Sequence, residues 1–176
     1  MLKNYIAPIL LFFVVLVIQI IIVPLIAIQD VVPDLILILL VFYTLKNGQL
    51  YGTILGFIFG LLFDLITGGL IGSSMFSKTL SGFIAGYFYN ENRIHQYYKS
   101  FAFPLIIILC SLIDSITLTF ISNFDLNVNL FRLIVNKAIL PAIFTAVISL
   151  LVTIFYPKRS YIWLEKILFQ KKEKEF

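Results

Sequence analysis

The chain has 176 residues, of which 61% are hydrophobic and 12% are charged. Soluble domains are typically about 45–50% apolar and about 25% charged, so this composition argues against a soluble globular enzyme, a disordered chain and a nucleic-acid-binding domain. With a mean hydropathy of +1.05, the chain is predicted to be an integral membrane protein. At about 20 residues per helical span, six spans fit its length with short loops and no second, soluble domain.

Six apolar segments follow one another along the chain. The first lies within residues 4–29, which carry no charge and form too long a run for a signal peptide. The other five are predicted at about 31–45, 50–66, 70–89, 101–121 and 130–156. We therefore expect an all-α polytopic fold, with a six-helix transmembrane domain over residues 1–156. Residues 157–176 are predicted to form a basic cytoplasmic tail that rests on the membrane surface.

The distribution of Lys and Arg predicts the orientation of these spans. If the N-terminus is inside, ten of the 13 cations fall in cytoplasmic segments, six of them in residues 157–176. The outer loops would then hold Asp30 and Asp125 but no Lys or Arg. Because cytoplasmic loops are enriched in Lys and Arg, both termini are predicted to lie in the cytoplasm.

All the glycines lie between residues 48 and 86, many of them at four-residue steps. Small residues at this spacing let a neighbouring helix approach closely. Two interpretations stay open, which are packing between helices of this chain and docking of a partner's transmembrane helix. The candidate residues for either role are Gly48, Gly52, Gly56, Gly60, Gly68, Gly72, Gly82 and Gly86.

Six ionisable side chains fall inside the predicted spans, where a charge costs at least about 2.5–3.5 kcal/mol on insertion scales. They are three acids and three bases: Asp34, Asp64, Lys78, Asp114, Arg132 and Lys137. The helical rise predicts that Lys78, Asp114 and Lys137 lie at one depth in the outer leaflet. Our hypothesis is that all six line an outward-facing polar cavity, with Asp114 paired with Lys78 or Lys137. The alternative is a buried ion-pair network that only fixes helix packing.

The sequence contains no recognisable catalytic or metal-binding pattern. The single histidine, His95, has no partner for a catalytic triad, and the single cysteine, Cys110, lies in an apolar run. Carboxylates occur singly on separate segments, so no helical metal motif is formed. We therefore predict no catalytic residue, no metal and no cofactor, with an intramembrane enzyme as a distant alternative.

Between residues 33 and about 90, the motifs form an ordered set. They are Pro33-Asp34, Lys46-Asn47-Gly48, Gly52, Gly56 and Gly60 with Asp64, Gly68-Gly69 with Gly72, and Lys78 with Gly82 and Gly86. This order resembles the rod shape-determining protein MreD family, and the chain length, the span count and the basic tail agree with it.

The resemblance implies a component of the bacterial inner membrane that supports lateral peptidoglycan synthesis and cell shape as a scaffold, without known catalysis. The implied partners are the bitopic protein MreC and, in the same elongation machinery (the elongasome), MreB, RodA and its penicillin-binding protein, with no nucleic acid. The implied fold resembles the six-helix substrate-binding subunits of energy-coupling-factor vitamin transporters. That likeness supplies an alternative function, a small-molecule binding subunit of a membrane transporter.

Overall fold

The computed structural model describes residues 3–27, 31–90, 102–122 and 135–155 of the chain. These residues form six α-helices and no β-strand: α1 Lys3–Ile21, α2 Leu35–Asn47, α3 Gln49–Thr67, α4 Ser73–Gly86, α5 Ala102–Ser122 and α6 Leu140–Phe155. A 3-10 turn, Val23–Ile26, follows α1, and a π-helical turn, Val135–Ile139, leads into α6. The all-helical prediction is confirmed, since each predicted segment overlaps one helix. The predicted tail at 157–176 and His95 lie outside the described residues.

Helix length separates two of these helices from the rest. Within the described ranges, α3 and residues Ala102–Ile121 of α5 are long and apolar enough to cross a membrane. The apolar stretches Pro8–Ile21, Leu35–Asn47 and Lys137–Leu151 are shorter. The prediction that six helices span a membrane with both termini on one side therefore stays a prediction.

Local sequence explains where α2 and α3 begin and end. Asp34 precedes α2, and its Oδ1 accepts a hydrogen bond of 2.8 Å from the backbone N–H of Leu37, which caps the first turn. Gly48 alone links α2 to α3 and has φ of 98°, a conformation that costs glycine little. Helix α3 ends at Gly68, which has φ of 67° and returns its N–H to the Asp64 carbonyl.

Helix α2 lies between two apolar cores. One face packs with α4 and α5, where Leu37, Val41 and Leu45 meet Phe103 and Ile107. The other face packs with α1 and α3, through residues that include Phe12, Ile36, Leu40, Leu55 and Phe59. Since consecutive residues from Ile36 to Val41 are buried, α2 is the central helix of the bundle.

The bundle buries polar groups and exposes large apolar ones. Leu10, Phe57, Leu105, Phe120 and Val147 are among the exposed side chains. The buried polar and charged residues are Thr44, Asp64, Ser73, Ser74, Ser77, Lys78, Ser81, Ser111, Asp114, Thr119, Thr145 and Ser149. An apolar exterior around interior polar groups is the arrangement expected of helices that face lipid.

Candidate functional site

Five glycines lie where α3 packs against α4 and α2, and we call them the glycine seam: Gly52, Gly56, Gly60, Gly82 and Gly86. A Cβ atom at Gly52 would meet the side chain of Thr44 on α2, whereas the other four glycines lie between α3 and α4. A Cβ atom at Gly56 would meet the carbonyl oxygen of Lys78, and one at Gly82 would meet that of Gly52, both well inside van der Waals contact. The two backbones therefore touch directly. This is the most extensive contact between any two described helices, and it depends on residues without side chains.

The other three candidate glycines lie in turns. Gly48, Gly68 and Gly72 all have positive φ, of 98°, 67° and 101°. A Cβ atom at Gly68 or Gly72 would have no neighbouring atom within 4 Å. These glycines therefore serve backbone conformation, and none of the described helices packs against Gly68 or Gly72.

Asp64 lies at the far end of α3 and organises the start of α4. Its carboxylate accepts hydrogen bonds from the backbone N–H groups of Gly72, Ser74 and Met75, at 2.8, 3.2 and 3.2 Å. These donors belong to the first turn of a helix, which has no intrahelical acceptors for them. A negative charge there is also favoured by the helix dipole.

Lys78 on α4 forms an ion network with Asp34, which precedes α2, and with Asp114 on α5. Its Nζ donates to Asp34 Oδ2 and lies 3.5 Å from Asp114 Oδ2. The side chains of Lys78 and Asp114 are 2% and 4% exposed, whereas that of Asp34 is 26% exposed. The Lys78 ammonium also lies 5.9 Å from the centre of the Phe63 ring, a distance at which a cation is attracted to the ring face. Through its two carboxylate partners, Lys78 joins α4 to the start of α2 and to the middle of α5.

Two uncharged side chains hold the Asp34 segment in place. Gln19 on α1 donates to the carbonyl of Pro33 at 2.8 Å and accepts from the N–H of Leu35 at 2.9 Å. Thr145 on α6 accepts from the N–H of Asp34 at 3.0 Å. Because these bonds satisfy backbone groups that precede α2, α1 and α6 fix the position of the carboxylate that faces Lys78.

The ion network borders a cavity of about 470 Å³ at the end of the bundle that holds the α3–α4 turn. Asp34, Lys78, Asp114 and Lys137 line it, together with hydroxyl groups of α4, α5 and α6. Lys137 is exposed, and Asp64 is not part of the lining. Arg132, the sixth candidate charge, lies outside the described residues.

One carboxylate oxygen of Asp114 has no hydrogen-bond partner among the described residues. Oδ2 faces Lys78, but Oδ1 is buried and has no hydrogen-bond partner among the described residues. A buried carboxylate oxygen without a donor is unfavourable by the full cost of its desolvation. Asp114 is also one of the residues that line the cavity.

Sequence reasoning missed three features of this site. It considered Lys78 and Lys137 as partners of Asp114, but not Asp34 as a partner of Lys78. Gln19 could have been noticed as the one amide between Tyr5 and Ile28, in the apolar run that precedes Pro33-Asp34. Nothing in the sequence singles out Thr145, because threonines also occur at other helix positions.

Comparison with known protein families identifies the chain. Residues 2–159 match the family described as rod shape-determining protein MreD, which confirms the resemblance first seen between residues 33 and about 90. Comparison with curated proteins and with solved structures gave no match. Since the match covers most of the 176 residues, the chain belongs to the MreD family, whose members are membrane proteins that act as structural components of shape determination and are not known as enzymes.

Proposed function

We propose that the protein is a membrane scaffold of the elongasome that binds an MreC-like bitopic protein and supports lateral peptidoglycan synthesis. MreB, RodA and a penicillin-binding protein are the further members of the proposed assembly. The observation that carries the proposal is the family match over residues 2–159. The family match supports a role in rod-shape determination, and the binding of MreC and the other partners is what we propose beyond it.

The packing of the bundle supports a scaffold. Lys78 ties α4 to α2 and α5 through two carboxylates, and the glycine seam brings the backbones of α3 and α4 together. A scaffold has to hold its outer faces in fixed relative positions, and interlocked helices do this better than loosely packed ones. In the membrane, the exposed apolar faces would then offer a partner helix a stable surface.

The glycine seam itself is proposed to act in packing within the chain. Each of its five glycines faces another helix of the same protein, so a partner helix would have to displace α2, α3 or α4 to reach them. We therefore expect a bulky substitution such as Gly56→Leu to reduce partner binding by damaging the bundle. Partner docking is proposed for the outward apolar faces.

The membrane arrangement is proposed to be six spans in the bacterial inner membrane, with both termini in the cytoplasm. The support is the Lys and Arg distribution of the sequence together with the exposed apolar side chains of the described helices. In this orientation the cavity opens on the outer side of the membrane.

Complementation combined with co-purification tests whether the protein supports rod shape and binds MreC. The chain would be expressed in a rod-shaped bacterium that lacks its own MreD, with cell width and MreC recovery as readouts. We expect rod shape and co-purified MreC with the native chain, and loss of both with Lys78→Asp. Lys46→Asp changes an exposed residue by the same charge, so it is the matched control and should keep both. Rod shape without recovered MreC would contradict the proposed partner.

The cavity supports a second candidate, a small-molecule binding subunit of a transporter. A volume of about 470 Å³ falls within the range of small-ligand sites, about 300–1,000 Å³. This candidate predicts a vitamin-like ligand retained on purification and an ATPase module as partner. Native mass spectrometry separates the two functions, because a retained bitopic protein supports the scaffold and a retained vitamin with an ATPase supports transport.

A further inference from the structure

The cavity has a charge pattern that calls for a particular ligand chemistry. Lys78 donates directly to Asp34, whereas its distance to Asp114 is 3.5 Å. If Lys78 and Asp34 are taken as a neutral pair, the lining still contains the carboxylate of Asp114 and the ammonium of Lys137. The described residues form no ion pair between Asp114 and Lys137.

These two charged side chains differ in their exposure. Asp114 is 4% exposed and lies eight residues before the end of α5 at Ser122, which is about 12 Å along the helix. Lys137 is exposed and belongs to the π-helical turn that precedes α6. The negative charge is therefore buried, and the positive charge belongs to an exposed residue of the same lining.

The inner carboxylate needs a hydrogen-bond donor as well as a positive charge. Asp114 Oδ1 has no partner among the described residues, and a carboxylate can only accept hydrogen bonds. A quaternary ammonium would supply charge without a donor, whereas a primary ammonium supplies both. The hydroxyl of Ser115 also lines the cavity and can accept a further hydrogen bond from such a group.

We infer that the cavity binds a zwitterion whose primary ammonium donates to Asp114 and whose anionic group faces Lys137. A phosphoethanolamine group has this chemistry, with the two charges a few bonds apart. It is available either as a phospholipid headgroup at the membrane surface or as a free molecule. The inference concerns the cavity alone and does not depend on which partner the scaffold binds.

A comparison of ethanolamine and choline lipids tests, on the native protein, whether the ligand needs a primary ammonium group. The protein is placed in nanodiscs that contain equal amounts of phosphatidylethanolamine and phosphatidylcholine, and retained lipids are counted by native mass spectrometry. The two headgroups have the same net charge, but only ethanolamine donates N–H bonds. We expect ethanolamine lipid to be enriched at least about tenfold, the effect of one charge-assisted hydrogen bond. Equal retention of both lipids, with no binding of soluble phosphoethanolamine, would overturn the inference.

Binding of soluble phosphoethanolamine shows whether the group comes from a lipid headgroup or from a free molecule. Phosphoethanolamine and phosphocholine are added to protein in a lipid-free detergent, and the thermal unfolding midpoint is measured. A shift with phosphoethanolamine alone, without lipid enrichment in the nanodiscs, supports a free ligand. Lipid enrichment without that shift supports a membrane headgroup, and both results together support recognition of the headgroup itself.

Two substitutions assign the ends of the ligand. Asp114→Asn should reduce the preference for ethanolamine over choline, since an amide oxygen accepts the hydrogen bond without the charge that strengthens it. Lys137→Gln should lower retention of both lipids but keep their ratio, because the phosphate is common to both. Lys46→Gln removes an exposed cation at the opposite end of α2 and should change neither quantity. An unchanged preference in folded Asp114→Asn would contradict the assignment, and the native-protein comparison applies even if that variant does not fold.

Discussion

The glycine seam and the ion network both involve α4. They differ in whether they leave open space and a polar atom without a hydrogen-bond partner. In the seam, backbone meets backbone, and there is no space for even one methyl group at Gly56 or Gly82. At the ion network, Lys78 is held by two carboxylates beside a cavity of about 470 Å³, and one oxygen of Asp114 has no described partner.

We propose that this difference separates residues that hold the bundle together from residues that bind a ligand. The seam completes its contacts inside the chain, so its residues are explained by packing. The ion network fixes helices too, but it retains a donor requirement and open space, the combination expected of a binding site. Substitutions in the seam should therefore act through folding, and conservative substitutions at Asp114 should act through function.

The largest effect is expected from removal of the shared cation. Lys78→Met keeps an unbranched apolar side chain of similar length but leaves Asp34 and Asp114 without their cation. Loss of one partner from a buried ion pair costs about 3–5 kcal/mol, so the free energy of unfolding in detergent should fall by that amount. Lys46→Met at an exposed position should have little effect, and similar stabilities of the two variants would mean that Lys78 is not needed to hold the bundle.

A single methyl group in the seam should have the next largest effect. Gly56→Ala forces the backbones of α3 and α4 apart at the Lys78 carbonyl, and overpacking typically costs about 1–3 kcal/mol. Gly69→Ala is the matched control, because the nearest atom to a Cβ atom there is 3.9 Å away. Thermal unfolding should rank the control close to the native protein, and equal losses in the two variants would argue against close packing at the seam.

The helix cap at Asp64 should have a smaller effect. Asp64→Ala removes the acceptor for three backbone N–H groups at the start of α4, and loss of such a cap costs about 1–2 kcal/mol. Hydrogen exchange should become faster at residues 72–75. Uniformly faster exchange across all helices would instead indicate that Asp64 holds the whole bundle and not one helix start.

A charge-swap cycle should give the smallest effect, because it measures only the coupling across 3.5 Å. Lys78→Asp and Asp114→Lys each place like charges together, and the double variant restores one opposite pair. The double variant should be more stable than the two single losses predict, by about 1 kcal/mol. Additive losses would mean that Lys78 and Asp114 do not interact in the folded protein.

The sequence predicted the helical fold well because apolar length and glycine turns are local signals. Gly48 and Gly68 end helices where the chain needs positive φ, which the spacing of the segments already suggested. The partner of a buried charge is not local, however. The contact between Lys78 and Asp34 spans 44 positions in the chain and depends on how α2 packs beside α4, which residue spacing does not define.

The hydrogen-bond partners of Asp64 were also not predicted from the sequence. Its depth along α3 suggested a place in the polar cavity, yet its carboxylate turns toward the N–H groups that begin α4. The first turn of a helix offers donors that no other part of the helix supplies. A carboxylate that lies eight residues before Gly72-Ser73-Ser74 was therefore also a candidate cap.

The most direct test of this division compares Asp114→Asn with Gly56→Ala in cells that depend on this protein for rod shape, with membrane protein levels measured alongside cell width. Asp114→Asn leaves Lys78 paired with Asp34, so the protein should accumulate normally while the cells become wide or round. Gly56→Ala should alter cell shape only as far as it lowers the protein level. Normal rods at a normal level of Asp114→Asn would contradict the proposal that rod shape needs the cavity at the ion network.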